Sequence, residues 1–285
     1  MLRRMCRLPR FATLHLALGC ACAVATITIA CSDATAPLPA GAIEWTPPSA
    51  RFALWWQMTE SCSGRQGDLR AIRWYVVPNA PSITVNGKQA QGETIGTDRI
   101  ILVESHRLDG SLVRHEMLHA LLGVGGHPRA AFLDACSGVV VCDSVCAADA
   151  GGRTEPPPDA PELTPRDVAA KVEVMPRQPT VSRDSGAVAV IISITNPLAT
   201  PAWVRLVPPG SQDAIGYTFG LALDYADSRL VFLRGQTGIF GARFPLAANE
   251  TRRYVWDGVL AAGEYGVRGW FADDTFPRFV LKVAP

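Results

Sequence analysis

Apolar and polar positions change period several times along the first half of the chain. Residues 50–59 place Phe52, Leu54, Trp55, Trp56 and Met58 in a window that predicts a helix. Residues 71–77 are β-branched and aromatic and stop at Pro78, which predicts a strand. Within 83–88 the pair Asn86-Gly87 is a hairpin signal. Residues 99–104 predict another strand. A second helix is predicted over 111–122, with Leu112, Leu118, Leu121 and Leu122 on its buried side. Asp109 or Ser111 suits its N-cap, and Gly123 suits its end. Trp55, Trp56 and Trp74 are expected in the core.

The second half follows a different rule. Residues 149–165 hold Gly151-Gly152, Pro156-Pro157-Pro158, Pro161 and Pro165, a composition that predicts a stiff, extended linker. Beyond it, strand patterns recur at 187–195, 202–207, 216–224, 229–233, 252–256, 264–271 and 278–283, separated by turn residues. Short strands at this spacing predict an antiparallel β-sandwich over 166–285. Met175 is expected in its first strand.

The chemistry concentrates at His115-Glu116-Met117-Leu118-His119, an HExxH pattern. Histidines four apart lie one above the other on a helix and can grip one zinc ion. Glu116 sits about 100° round the helix. That position suits a general base taking a proton from a water at the metal, not a ligand. A catalytic zinc takes three protein ligands and keeps one open position. Gly123-Val124-Gly125-Gly126 can turn the chain back and bring His127 to the ion. Glu155, Glu162, Glu173 and Asp134 are the competing third ligands, and His106 is expected to be a loop residue.

The run HExxH-xxx-G-xxx-H at His115, His119, Gly123 and His127 resembles the metzincin metalloproteases, whose pattern is HExxHxxGxxH. Here the glycine comes one residue later and the last histidine two residues later. The resemblance implies a zincin-like domain with a Zn²⁺ site formed by His115, His119 and His127. It also implies a sheet beside the active helix, whose edge strand can hold an extended peptide. In the second half, residues 193–197 with Ala202-Trp203-Val204, and 256–260 with 262–269, resemble the BsuPI-type proteinase-inhibitor fold, an immunoglobulin-like sandwich.

Arg3, Arg4, Arg7 and Arg10 precede a run, 11–30, with no acidic or basic side chain except His15. This is the pattern of a secretory signal. The sequence Thr28-Ile29-Ala30-Cys31 resembles a bacterial lipobox, which implies a lipid anchor on Cys31; cleavage without lipid and an uncleaved anchor are the alternatives. The exported part keeps Cys62, Cys136, Cys142 and Cys146. Two disulfides are expected in an oxidising compartment, with zinc on the trio 136, 142 and 146 as the alternative. A formal net charge of +1 and the lack of a basic stripe argue against nucleic acid as a partner.

Together these readings predict an α+β chain with a small zincin-like catalytic domain followed by an all-β immunoglobulin-like sandwich. The expected boundaries are 1–31 signal, 32–42 tether, 43–148 metalloprotease domain, 149–165 linker and 166–285 sandwich. The expected function is an exported, lipid-anchored zinc endopeptidase of the bacterial cell envelope, acting on protein or peptide substrates. The alternatives are a non-catalytic zinc-containing surface-binding lipoprotein, or a protease inhibitor acting through the sandwich.

Overall fold

A computed structural model describes residues 36–85, 87–152, 155–176, 186–205, 219–225, 230–233, 243–271, 274–275 and 279–285. The expected signal segment, the Cys31 anchor and the start of the tether lie outside the described residues. Ser32–Pro285 forms one compact unit, and its architecture is α+β. No helix among the described residues is long and apolar enough to cross a membrane.

In the first half, helices cover one face of a sheet. The strands of this half are β1 (Ile43–Glu44), β2 (Arg73–Val77), the small hairpin β3–β4 (Ile83–Val85 and Lys88–Ala90), β5 (Gly92–Ile95) and β6 (Arg99–Val103). The sheet order is β1-β2-β6-β5, and the hairpin stands apart from it. β2 and β6 run parallel, while β5 runs antiparallel to β6 at the edge. Alternation along β6 decides the two faces. Ile100 and Leu102 point into the helix-side core, whereas Ile101 and Val103 join Tyr75, Val77 and Ile83 on the other side. Three helices follow in chain order: α1 (Ser49–Ser63), α2 (Gly110–Leu122) and α3 (Ser144–Asp149). Trp55, Trp56 and Trp74 are buried, as expected.

α2 begins at Asp109, whose side chain accepts from the Ser111 and Leu112 amides, and ends at Gly123 in the left-handed conformation. It is less amphipathic than its leucines suggest. Val113, Arg114, Glu116, Met117, Leu118, His119 and Ala120 are all buried, while Leu112, Leu121 and Leu122 are only partly so. The reason is that α1, β5 and β6 pack round the helix, while Asp257 from the second half meets Arg114.

Among the described residues, the regular elements of the second half are strands: β7 (Glu162–Leu163), β8 (Ala169–Met175), β9 (Gly186–Thr195), β10 (Ala202–Arg205), β11 (Phe219–Tyr225), β12 (Leu230–Leu233), β13 (Arg243–Leu246), β14 (Thr251–Leu260), β15 (Gly263–Phe271), β16 (Asp274–Thr275) and β17 (Phe279–Val283). They form sheets ordered β14-β9-β8, β13-β10-β7 and β12-β11-β15-β16, with β17 also on β15. β7 comes from the proline-rich stretch: it pairs parallel to β10 and buries Leu163. Met175 ends β8.

β9 explains how the halves join. Its run Gly-Ala-Val-Ala-Val-Ile-Ile-Ser-Ile is buried on both faces, which is why it reads as continuous and apolar rather than alternating. Ala187, Ala189 and Ile191 face α1 and complete the first-half core, while Val188 and Val190 face the core under β15 and β17. The alanines allow close approach of the helix. Next to them, Asp257 of β14 accepts from Trp55 Nε1 at 2.8 Å and pairs with Arg114 Nη1 at 3.1 Å. Arg114 Nε donates to the Val139 carbonyl at 2.6 Å. Backbone contacts seal the seam: the Arg253 amide donates to the Ser137 carbonyl, and a Cβ added at Gly138 would come 1.7 Å from the Arg253 oxygen.

Arg114 is almost wholly buried, and burial lowers its pKa despite the support of Asp257. Asp257→Ala therefore strands a buried guanidinium without its counter-ion. The expected cost is about 3–5 kcal/mol of stability, read as a lowered midpoint in denaturant unfolding. A variant as stable as the wild type would contradict this account of the seam.

Candidate metal centre

The structure brings His115, His119 and His127 to one point. His115 Nε2 lies 3.1 Å from His119 Nε2 and 3.2 Å from His127 Nε2. Each ring is aimed by an acceptor on its other nitrogen. His115 Nδ1 meets the Val141 carbonyl at 2.6 Å, and His119 Nδ1 meets the Val124 carbonyl at 2.9 Å. His127 Nδ1 meets Asp149 Oδ2 at 2.8 Å, and the same oxygen accepts from the His127 amide at 3.0 Å. Local structure produces each contact. The left-handed turn at Gly123 presents the Val124 carbonyl to the end of α2, and α3 presents Asp149 from its last turn.

Carbonyl and carboxylate oxygens only accept, so Nδ1 carries the proton in each ring and Nε2 is left with a lone pair. Burial pushes the pKa of His115 down to about 4 and that of His119 down to about 3, so both are neutral near pH 7. The Nε2 lone pairs of neutral His115 and His119 then face each other 3.1 Å apart. A cation resolves that repulsion. Metal–nitrogen bonds of about 2.0–2.1 Å give a tetrahedral edge of about 3.3 Å, close to the observed separations. Acceptors on Nδ1 of this kind hold the rings of metal-binding histidines in register.

Phe132 forms the floor. Its ring centroid lies 5.0 Å from His115, 4.9 Å from His119 and 4.9 Å from His127. It is fully buried on the π-helical turn Ala130–Ala135, and Cys62–Cys136 ties the end of that turn to α1. The second disulfide is Cys142–Cys146. It adds a sulfur to the site, because ligand atoms of His115, His127 and Cys146 all lie within 4.8 Å of one another, a cluster that can hold a metal ion. The imidazole trio is the better set while Cys146 is oxidised, since a disulfide sulfur has no thiolate to offer.

Glu116 lies on the β5 side of α2 and is buried. The Thr94 hydroxyl is 2.8 Å from Glu116 Oε2 and 2.9 Å from the Glu116 carbonyl, and can donate to either. A Cβ at Gly92 would come 2.8 Å from Glu116 Oε1, so glycine makes room for the carboxyl group. Burial raises the Glu116 pKa to about 7, against the opposing Thr94 hydrogen bond.

Three of the four competing carboxylates are engaged elsewhere. Glu162 pairs with Arg205, Glu173 with Lys171 at 2.7 Å, and Asp134 with Arg129 at 3.7 Å. His106 sits in a short turn, 4.0 Å from Asp109. Sequence reasoning missed Asp149, Phe132 and Thr94 as site residues, and placed Cys146 only in the alternative cysteine site, apart from the histidines. The N-cap at Asp143 was the available signal for α3, which carries two of them.

No protein-family model matches the chain, and none of the curated proteins matches it. Among solved structures, one likeness is to the Pseudomonas fluorescens alkylpurine DNA glycosylase AlkC bound to DNA with an abasic site analog, at 10% identity and TM-score 0.26. It covers 42% of this chain and 31% of that one. The putative ApaA protein of Bordetella pertussis gives 21% identity and TM-score 0.27, over 42% of this chain and 97% of that one. A Listeria innocua β-glucosidase gives 11% identity and TM-score 0.26, over 41% and 16%. Likenesses this small carry no argument about activity.

Two predictions follow from the geometry. Asp149→Asn replaces the carboxylate that aims His127, and metal affinity should fall about 10–100-fold, measured by competition with a chelating dye. Unchanged affinity would remove Asp149 from the site. In the metal-free chain, the two histidines have depressed folded pKa values. Their contribution is full above about 6.5, their ordinary value, and is lost as pH falls toward 4. Glu116, with its raised pKa, acts oppositely between 7 and 4.5. Two groups outweigh one, so metal-free stability should fall between pH 6.5 and 4 in urea unfolding. A rise over that window would contradict the neutral-imidazole assignment.

Proposed function

We propose that this chain is a zinc-dependent endopeptidase that hydrolyses peptide bonds, with His115, His119 and His127 as metal ligands and Glu116 as the general base. The observation that carries the reading is the convergence of three Nε2 atoms, each ring locked by an acceptor on Nδ1. Three protein ligands leave a fourth position open, as in catalytic zinc sites. When bound there, Zn²⁺ supplies a Lewis acid that makes water nucleophilic near neutral pH and polarises a carbonyl oxygen.

The chain's own residues supply the rest. A carboxyl group with a pKa of about 7 both accepts and releases protons near neutral pH. Glu116 therefore takes the proton from the attacking water and returns it to the leaving amine. Thr94 positions that carboxyl group, and Phe132 keeps the floor of the site dry. β5 has one strand neighbour among the described residues, β6, so its outer edge is free to bind an extended peptide through main-chain hydrogen bonds. A substrate there would pass Gly92 and Thr94, the residues that touch Glu116.

The remaining parts of the reading are an exported chain anchored through lipid on Cys31, and a second half folded as an immunoglobulin-like sandwich. The sandwich acts as a structural partner of the catalytic half. The seam at Arg114 and Asp257 favours this role over that of a free inhibitor module.

Glu116→Ala should keep its metal and lose cleavage of an unfolded protein substrate by about 10²–10⁴-fold. His119→Ala should lose the metal itself, measured as metal content after dialysis. Wild-type cleavage by the Glu116 variant, or full metal occupancy in the His119 variant, would overturn the assignment.

A further inference from the structure

Cys146 is not explained by the hydrolytic site. Its sulfur lies within 4.8 Å of ligand nitrogens of His115 and His127, yet it is held by Cys142. We propose that Cys142–Cys146 is a redox latch: reduction frees Cys146 as a fourth metal ligand, which closes the open position and silences the site. The proposal rests on the metallopeptidase reading above.

Three observations support it. The bridge spans a sequence separation of only 4, against 74 for Cys62–Cys136. Constraint of the unfolded chain grows with loop length, so this disulfide is the weaker staple of the two. The segment that carries it also builds the site, since the Val141 carbonyl aims His115 and Asp149 aims His127. Finally, the two sulfurs differ in access. Cys146 is buried at the metal side, whereas Cys142 is only half-buried, in a stretch where Val141 and Val145 are exposed.

Access sets the direction of the chemistry. A thiolate of a dithiol reductant attacks the Cys142 sulfur, and the Cys142–Cys146 bond breaks with its electron pair leaving on Cys146. The second thiol of the reductant then attacks the mixed disulfide. Cys142 leaves as a thiol, and the reductant departs as its own disulfide. The protein has gained two electrons and the reductant has lost two. Cys146 thiolate replaces the open position, and a site with four protein ligands is of the structural type. The enzyme would thus be silent in a reducing compartment and released by oxidation after export.

The test uses the full chain loaded with Co²⁺ alone, because a cobalt–thiolate bond gives a charge-transfer absorption that imidazole ligands do not. Cys142→Ser leaves Cys146 reduced without any reductant and keeps Cys62–Cys136. Its cobalt form should show the thiolate band, and the oxidised wild type and the Cys142→Ser/Cys146→Ser double variant should lack it. Should the single variant not fold, the same comparison is made between wild type and Cys146→Ser after phosphine reduction. Cleavage by the wild type should be lost on reduction and return on reoxidation. Cobalt binding without a thiolate band in the reduced-Cys146 forms would overturn the latch and leave the three-histidine site standing. No cobalt binding by any form would overturn both.

Discussion

His115 Nε2 is held 3.1 Å from His119 Nε2 and 3.2 Å from His127 Nε2, and the architecture around α2 keeps the three rings there. Each Nδ1 proton is fixed by an oxygen from a different piece of chain: the turn after α2, the segment before α3, and the end of α3. Burial keeps His115 and His119 neutral, and Phe132 packs beneath all three rings. Such an arrangement can hold a cation. The glycine turn, the π-helical turn and both disulfides can be read as the means of holding it.

The second half of the chain is part of that support. β9 closes the core against α1, and Asp257 neutralises Arg114, the residue directly before His115. A buried arginine is costly without a counter-ion. The carboxylate that supplies it comes from β14, well over a hundred residues away in sequence. The helix carrying His115 and His119 and the strand-rich half therefore share one seam.

How much was legible in the sequence depended on range. The histidine trio could be read because its spacing is local: four residues within one helix, then a short glycine turn. In the second half, the strands at 187–195, 252–256 and 264–271 were legible from pattern and the structure extends each, most at the end of β14, whereas β7, β13 and β16 were not read. β5 was not legible, because Gly92–Ile95 is short and gains its order from pairing with β6 and packing on Glu116. Asp149 and Phe132 were missed because only tertiary placement brings them under the histidines. Arg114 read as an ordinary polar helix residue, since nothing local announces Asp257. The paired burial of β9 was written in its unbroken apolar run, but not the identity of the two surfaces it joins.

The most direct test of the central claim is X-ray absorption on the zinc-loaded full chain in its oxidised form, with metal stoichiometry measured on the same sample. The account predicts one zinc per chain, bound by three imidazole nitrogens at about 2.0–2.1 Å and a light-atom solvent ligand, with no sulfur in the first shell. A sulfur-dominated shell, fewer than three imidazoles, or no stoichiometric zinc would contradict it.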